Sequence, residues 1–179
     1  MNVLILMGSA RQNGNTNALC EAFAKGAEAS GHKTQTMILK HLDINHCMGC
    51  GACQKNGGQC VQKDDMETIY EKVLEADVIV FGSPIYYYTW TSLIKAPLDR
   101  LYAKISQITD TKFYLLSACA AGSEEFTDTM VDCFHKYIGC YRAGGNSEGG
   151  YLFGLGAVAS GDVRQTDYLD KAFEMGKSI

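Results

Sequence analysis

Short apolar runs recur along the chain, and segments with helical spacing separate them. Residues 3–7, which precede Gly8, and residues 77–82 are apolar runs of the kind that form strands buried on both faces of a sheet. A weaker strand is predicted at residues 36–39, another at residues 113–116, and a last one within the glycine-rich stretch 144–156. The pattern therefore predicts five strands.

Apolar residues three or four positions apart predict the helices between and after these strands. Such segments lie at residues 18–27, 66–74, 93–102, 126–138 and 169–173. Asp64 and Glu67 have the spacing of a capping box at the start of the second segment, and Pro97 predicts a kink or a late start in the third. Because strands alternate with helices, we expect an α/β fold whose parallel sheet is covered by helices on both faces.

The composition is typical of soluble globular proteins. The 179 residues are 46% hydrophobic and 20% charged and include only 2 prolines, so we expect a single domain over residues 1–179. The apolar run at residues 3–7 is far shorter than the roughly 18 residues of a bilayer span, and no basic segment precedes it, so we expect a cytoplasmic protein with no membrane partner. With 16 basic against 20 acidic side chains and no basic stretch, we expect no nucleic-acid partner.

The first candidate binding loop follows the first strand. In a parallel sheet of this kind the ligand crevice lies beyond the carboxyl ends of the strands. Residues 8–16 run directly into a helix, whose first N–H groups point at one spot, and Ser9, Thr16 and Arg11 add the donors that suit a terminal phosphate. The loop has neither the Gly-Lys-Ser/Thr of a Walker A motif nor the spacing of a dinucleotide fingerprint, and a well-capped helix without a ligand is the alternative.

Two further loops are predicted at the same edge of the sheet. Residues 83–90 carry four aromatic rings, which suit a planar heteroaromatic ligand, although subunit interfaces collect the same residues. Residues 118–122 are nearly free of side chains, so their backbone could approach a ligand closely, with a simple tight turn as the alternative. A phosphate cradle, an aromatic wall and a bare backbone rim together predict a pocket for flavin mononucleotide (FMN).

Three motifs carry a family resemblance. Gly-Ser-x-Arg-x-x-Gly-Asn-Thr from residue 8, Gly-Ser-Pro-Ile-Tyr from residue 82 and Ser92-x-x-Lys95-x-x-x-Asp99-Arg100 resemble the flavodoxin-like NADPH-dependent FMN reductase superfamily, with a likeness from residue 2 to about residue 122. The resemblance implies a doubly wound five-stranded parallel sheet of order 2-1-3-4-5 and a homodimer or homotetramer. Lys95, Asp99 and Arg100 match the family pattern but are expected to be structural, because an ion pair on a helix needs no further function.

The resemblance also implies the cofactor-binding residues. The phosphate would be held by Ser9, Arg11, Asn15, Thr16 and Asn17; the ribityl chain and ring would lie along Pro84, Ile85 and Tyr86; and the far side would be closed by Cys119 and Gly122. Three more residues of the same loops complete the candidates: Gly14, Tyr87 and Ala118.

Four cysteines, Cys47, Cys50, Cys53 and Cys60, crowd into a loop at about residues 46–62. Three thiols at two-residue intervals can wrap one corner of a cuboidal cluster, as in the bacterial ferredoxin run. The segment resembles the iron-sulfur flavoprotein branch of the superfamily, which implies a [4Fe-4S] cluster. Free or reversibly oxidised thiols, zinc and a stable disulfide stay open as alternatives. The four other cysteines, at positions 20, 119, 133 and 140, have apolar neighbours and are expected to be buried thiols.

The resemblance implies an NAD(P)H-dependent oxidoreductase in which the bound FMN carries the hydride and electron chemistry. The electrons would pass to a small acceptor such as a quinone, free flavin, nitro compound or metal complex. If the clustered cysteines hold a [4Fe-4S] group, electrons could instead pass singly through it, which would make ferredoxin a partner. The alternative class is a non-enzymatic electron carrier of the flavodoxin type, or a thiol redox sensor.

Overall fold

Five parallel strands form one sheet in the order β2-β1-β3-β4-β5, which confirms the predicted order. The computed structural model describes residues 1–179, with the side chains of all but Arg142. The strands are β1 (Asn2–Met7), β2 (Lys33–Ile38), β3 (Val78–Gly82), β4 (Lys112–Ala118) and β5 (Ser147–Gly154). The strand order reverses between β1 and β3, and there the carboxyl ends of the two strands open a crevice.

Helices connect the strands and cover both faces of the sheet. They are α1 (Asn15–Ala29), α2 (Ala52–Lys55), α3 (Met66–Leu74), α4 (Ser92–Arg100), α5 (Asp128–Gly139) and α6 (Tyr168–Lys177). Pro97 lies inside α4 rather than at its start, so the late start that it predicted is wrong. The helix begins earlier because Thr91 caps it, accepting a hydrogen bond from the Ile94 amide at 3.4 Å.

Each face of the sheet has its own apolar core. On one face, α3, α4 and α5 pack over the inner strands, where Phe81 stacks on Phe113 with ring centroids 5.7 Å apart. On the other face, α1 and α6 pack together so closely that a Cβ at Gly26 or at Gly176 would lie 2.0 Å from a carbonyl oxygen of the opposite helix. Glycine at both positions therefore permits the helices to touch through their backbones.

The predicted capping box at the start of α3 is wrong. The Met66 amide donates to the Asp64 carboxylate at 3.2 Å, but the Glu67 side chain forms a surface ion pair with Lys63 at 3.1 Å instead of turning back to the helix. The Asp64 carboxylate is buried and pairs with Arg100, a residue distant in sequence that local spacing does not reveal.

The prediction for the four scattered cysteines is correct for two of them. Cys20 and Cys119 are buried, whereas Cys133 is half-buried and Cys140 is exposed. Cys133 lies in α5 and Cys140 directly follows it, and the outer surface of this helix faces solvent. Among the described residues, no helix has both the length and the apolar composition that crossing a bilayer requires.

Candidate functional site

The three predicted loops meet at one cavity of about 240 Å³. It lies beyond the carboxyl ends of β1, β3 and β4, with the segment after β5 as a fourth wall. The residues that line it are Ser9, Arg11, Gly14, Asn15, Thr16, Pro84, Ile85, Tyr86, Ala118, Cys119, Ala120, Ala157 and Val158. Most of the residues proposed from the sequence thus share one cavity, and Asn17, Tyr87 and Gly122 lie outside its lining.

The N-terminus of α1 opens into this cavity. Gly14 precedes the helix, and within the described part of the chain no side chain caps it. The first amides of an α-helix have no partner inside the helix, and they form the positive end of its dipole. Thr16 is buried in this first turn, and Arg11 lies on the same wall. This end of the cavity therefore presents N–H donors, a hydroxyl and a cation together, which suits an anionic group.

The side chains of two asparagines in this turn have structural roles. The Asn15 amide donates to the Ala159 carbonyl at 2.7 Å, and its oxygen accepts from the Gly161 amide at 2.9 Å. Asn15 thereby ties α1 to the segment after β5. The Asn17 side chain donates to the Gln12 carbonyl at 3.1 Å, which braces the loop from behind. Both polar side-chain atoms of Asn15 are therefore occupied, whereas the buried Asn17 Oδ1 has no hydrogen-bond partner among the described residues.

A buried network of hydroxyl groups links the strand ends from which the loops of the cavity extend. The Ser117 hydroxyl at the end of β4 donates to the Ser83 carbonyl at 2.6 Å, and the Ser83 hydroxyl accepts from the Thr91 amide at 3.2 Å. The Thr91 hydroxyl donates to the Gly8 carbonyl at 2.7 Å. Because buried polar groups are costly to leave unpaired, this series of hydrogen bonds fixes the ends of β1, β3 and β4 relative to one another.

The aromatic loop turns sharply past Tyr86. Tyr86 and Thr89 form an isolated antiparallel bridge, and Tyr87 and Tyr88 between them have φ values of 48° and 68°. This left-handed conformation is rare for residues other than glycine and asparagine. Tyr86 stays on the cavity wall, but Tyr87 is 97% exposed and points away from it. The sequence placed Tyr87 in the binding site because neither its turn nor its φ value is visible in a run of aromatics.

The small-residue loop after β4 lies against the segment after β5. The Cys119 amide donates to the Gly154 carbonyl at 3.0 Å, and the Ala157 amide returns a bond to the Cys119 carbonyl at 2.8 Å. Burial raises the pKa of the Cys119 thiol, so it stays protonated at neutral pH.

Three lining residues were not among the candidate residues: Ala120, which lies within the predicted loop 118–122, and Ala157 and Val158, which lie outside every predicted loop. The last two follow β5. Since ligands bind beyond the carboxyl ends of the strands, the segment after the fifth strand was a candidate by the same rule that selected the other loops. The uncertain bounds predicted for that strand hid it.

The four clustered cysteines line a second cavity, of about 210 Å³. Cys47 and Cys50 are exposed, and Cys53 and Cys60 are half-buried; all four are free thiols. Among the described residues, no three His, Cys, Asp or Glu side chains gather closely enough to hold a single metal ion. The cysteines instead surround a shared space, which Asp99, Arg100 and Tyr102 also line.

A buried ion pair lies under this cavity. The two Arg100 terminal nitrogens donate to the two Asp64 oxygens at 2.8 and 3.1 Å, and both side chains are 1% exposed. Burial alone would raise the pKa of the Asp64 carboxyl, but its hydrogen bonds from Arg100 and Asn45 hold that pKa well below its ordinary value. Burial works against the Arg100 charge, yet its bonds to Asp64 keep the pKa of the guanidinium above its usual range.

The parallel sheet and the cavity at its strand-order reversal define a flavodoxin-like protein. The model of the family described as NADPH-dependent FMN reductase matches residues 1–147, and the chain belongs to that family. It is therefore an NAD(P)H-dependent flavin oxidoreductase that uses FMN, as the resemblance implied.

Individual relatives agree with this membership. An iron-sulfur flavoprotein of Archaeoglobus fulgidus is 30% identical over 179 residues, which are 100% of this chain and 79% of the relative. An iron-sulfur flavoprotein of Methanocaldococcus jannaschii is 29% identical over 190 residues, covering 100% of this chain and 95% of the relative. The crystal structure of an azoreductase from Bacillus anthracis covers 100% of both chains with a TM-score of 0.76 at 18% identity, a likeness of fold.

Proposed function

We propose that FMN binds in the cavity of about 240 Å³ and that the four-cysteine cavity holds a [4Fe-4S] cluster, through which electrons leave toward a small acceptor. The convergence of four segments on one cavity that contains an uncapped helix N-terminus carries the first half of the proposal. A phosphate at that end would receive backbone N–H donors together with the charge of Arg11.

The protein's own residues hold and orient the cofactor. The chemistry that FMN supplies when bound is to accept hydride from the nicotinamide and then to transfer electrons. Pro84 and Ile85 offer an apolar wall for its ring, and Tyr86, 48% exposed, lies at the rim where a second planar ring could stack. The protonated Cys119 thiol adds a neutral group to the opposite wall, so no thiolate charge opposes negative charge on the ring.

The cysteine cavity fits a cluster better than it fits a single ion. A [4Fe-4S] cluster would take one thiolate on each of its four irons, so its ligands would surround a space instead of meeting at a point. Four free thiols surround such a space here, and Gly49 and Gly51 at φ values of 65° and 67° allow the loop to turn between them. The iron-sulfur flavoprotein names of the relatives support the same occupant.

The FMN half is tested by titrating FMN-free protein with FMN and following flavin fluorescence. Arg11→Ala/Thr16→Ala removes one cation and one hydroxyl from the phosphate end, and we expect at least a tenfold weaker Kd, since each hydrogen bond to a charged group contributes about 1.5–3 kcal/mol. Arg164→Ala is the matched control, because Arg164 is an exposed arginine whose partner is Glu21 at 3.8 Å. An unchanged Kd in the double variant would contradict FMN binding in this cavity.

The cluster half is tested by iron and acid-labile sulfide analysis of protein purified without oxygen. We expect about four irons per chain, and their loss in Cys50→Ser. Cys140→Ser is the control, because Cys140 is also an exposed thiol but lies outside the four-cysteine cavity. Wild-type protein that takes up FMN but no iron after anaerobic reconstitution would refute the cluster and leave the flavin site standing.

A further inference from the structure

Arg100 has an unused donor at the four-cysteine cavity. Arg100 is 2% exposed, and it lines that cavity together with the four cysteines. Among the described residues, the Arg100 Nε has no hydrogen-bond partner. A buried donor without a partner costs free energy, and a charged one costs more, so its survival in a fixed position calls for an acceptor.

The rest of the guanidinium is held rigidly. Its two terminal nitrogens bind both oxygens of Asp64, and one of them also donates to the Asn45 carbonyl at 2.9 Å. The planar group therefore cannot rotate to satisfy Nε without breaking a bidentate pair. The direction of the free N–H is set by the fold and not by a ligand.

Cys60 and Arg100 line the same cavity. The Tyr70 hydroxyl donates to the Arg100 carbonyl at 3.0 Å. The main chain of Arg100 is thus held by Tyr70, and its side chain shares the wall of the cavity with Cys60.

From this geometry we infer that Arg100 is a positioning residue of the four-cysteine site, whose Nε–H donates to a sulfur of the anionic group held there. The inference rests on the proposed [4Fe-4S] occupant. If such a cluster is bound, the gain of one electron from a mediated electrode would add one negative charge at the site, with no bond formed or broken. A buried cation with an N–H directed at sulfur stabilises the more negative form, so Arg100 raises the reduction potential.

The test measures the midpoint potential of the reconstituted protein, together with its iron content. Asp64→Asn/Arg100→Gln removes both charges at once and leaves no buried charge unpaired. We expect it to keep its iron and to lower the equilibrium constant for one-electron reduction about tenfold, a shift of about 59 mV to more negative potential. Arg100→Lys keeps the charge but loses the Nε donor, and we expect a smaller shift in the same direction.

Asp167→Asn/Lys171→Gln is the matched control, because it also removes one pair of opposite charges. Lys171 pairs with Asp167 at the surface of α6, on the face of the sheet opposite the α3, α4 and α5 core. The midpoint potential of the control variant should equal that of wild type. Potentials in both Arg100 variants that match the control would overturn the inference while the cluster itself remains established by the iron content. Wild-type protein without iron would instead refute the proposed cluster, and the inference with it.

A measurement on the wild type covers variants that fail to fold. In a crystal structure of the iron-loaded protein, we expect the Arg100 Nε within about 3.5 Å of a cluster or cysteine sulfur. A longer separation, with Nε bonded elsewhere, would show that Arg100 is only half of a structural ion pair.

Discussion

The FMN cavity and the four-cysteine cavity are built in different ways, although both lie beside the same sheet. The first is fixed by strand ends that buried hydroxyls link to one another, from Ser117 through Ser83 and Thr91 to Gly8. The second is formed by a loop between β2 and α3, in which the Gln54 side chain reaches the Tyr102 carbonyl at 2.8 Å and the thiols of Cys47 and Cys50 are exposed.

The difference teaches which site depends on its ligand. Buried hydrogen bonds hold the strand ends beside the first cavity in place without a ligand, so the proposed FMN would meet an organised cradle. The cysteine loop would gain its strongest bonds only from the proposed occupant, as in metal sites whose ligands order on binding. The buried Asp64–Arg100 pair lies underneath it, and the predictions below test these two regions against each other.

The largest effect is expected where the cysteine loop rests on the core. Asp64→Asn keeps the shape of a side chain that is 1% exposed but leaves the Arg100 charge buried without its partner. Breaking such a pair costs about 3–5 kcal/mol, which urea unfolding of the iron-free protein would measure. Asp99→Asn is the control, because its exposed pair with Lys95 should contribute less than about 1 kcal/mol. Equal losses in both variants would mean that the buried pair does not anchor the loop.

The same carboxylate predicts how stability changes with acid. The folded-state pKa of Asp64 lies below its ordinary value, so the unfolded chain binds the proton more readily and stability falls as pH falls. The contribution is fully present above about pH 3.9, the usual aspartate value, and is lost progressively below it. Wild type should therefore lose part of its stability advantage over Asp64→Asn as pH is lowered from about 6 toward about 2.5, while Asp64 in the folded protein stays ionised over this range. A gap between the two proteins that stays constant over this range would contradict the assignment.

On the flavin side, Gly8→Ala tests how little space the organised cradle has. A Cβ at Gly8 would lie 2.6 Å from the Ile94 Cβ. Because that Cβ is bonded directly to the main chain, rotation of the Ile94 side chain cannot relieve the clash. We expect a loss of about 1–3 kcal/mol in thermal or urea unfolding, with weaker FMN binding because the loop must move. Gly122→Ala serves for comparison, because a Cβ there meets nothing within 4 Å. If Gly122→Ala weakened FMN binding as much, Gly122 would belong to the site as the sequence suggested.

Local patterns predicted the centre of the sheet well and its edges poorly. β1 and β3 match their predicted positions to within one residue, because strands buried on both faces are continuous apolar runs. β2 begins three residues earlier than predicted, since this edge strand starts with the polar sequence Lys33-Thr34-Gln35. β5 contains glycines and a register irregularity opposite Phe113 and Tyr114, and neither feature has an apolar signature.

In the candidate site, too, local patterns predicted some features and not others. Loops that follow strongly apolar strands were identified, and most of their residues line the cavity. Long-range partners were not identified, because nothing near Asp64 in sequence announces Arg100 and nothing near Asn15 announces the segment around Ala159. Side-chain directions within a loop also depend on φ values that the sequence does not specify, as Tyr87 illustrates.

The smallest effect is expected at Tyr87 itself. Its side chain is 97% exposed with φ at 48°, a conformation that asparagine adopts more easily than an aromatic residue. Tyr87→Asn should change the free energy of unfolding by no more than about 0.5 kcal/mol, with any change in the stabilising direction, and should leave the Kd for FMN within twofold of wild type.

Tyr86→Ala, one position earlier, is the informative counterpart, because Tyr86 lines the cavity. Removing its ring should weaken FMN binding by several-fold, since aromatic contacts contribute about 0.5–1.5 kcal/mol beyond the area they bury. The reverse order of effects, with Tyr87 the more important residue, would require the turn at residues 86–89 to refold around the flavin. The aromatic loop would then share the ligand dependence of the cysteine loop, and the contrast between the two regions would fail at that point.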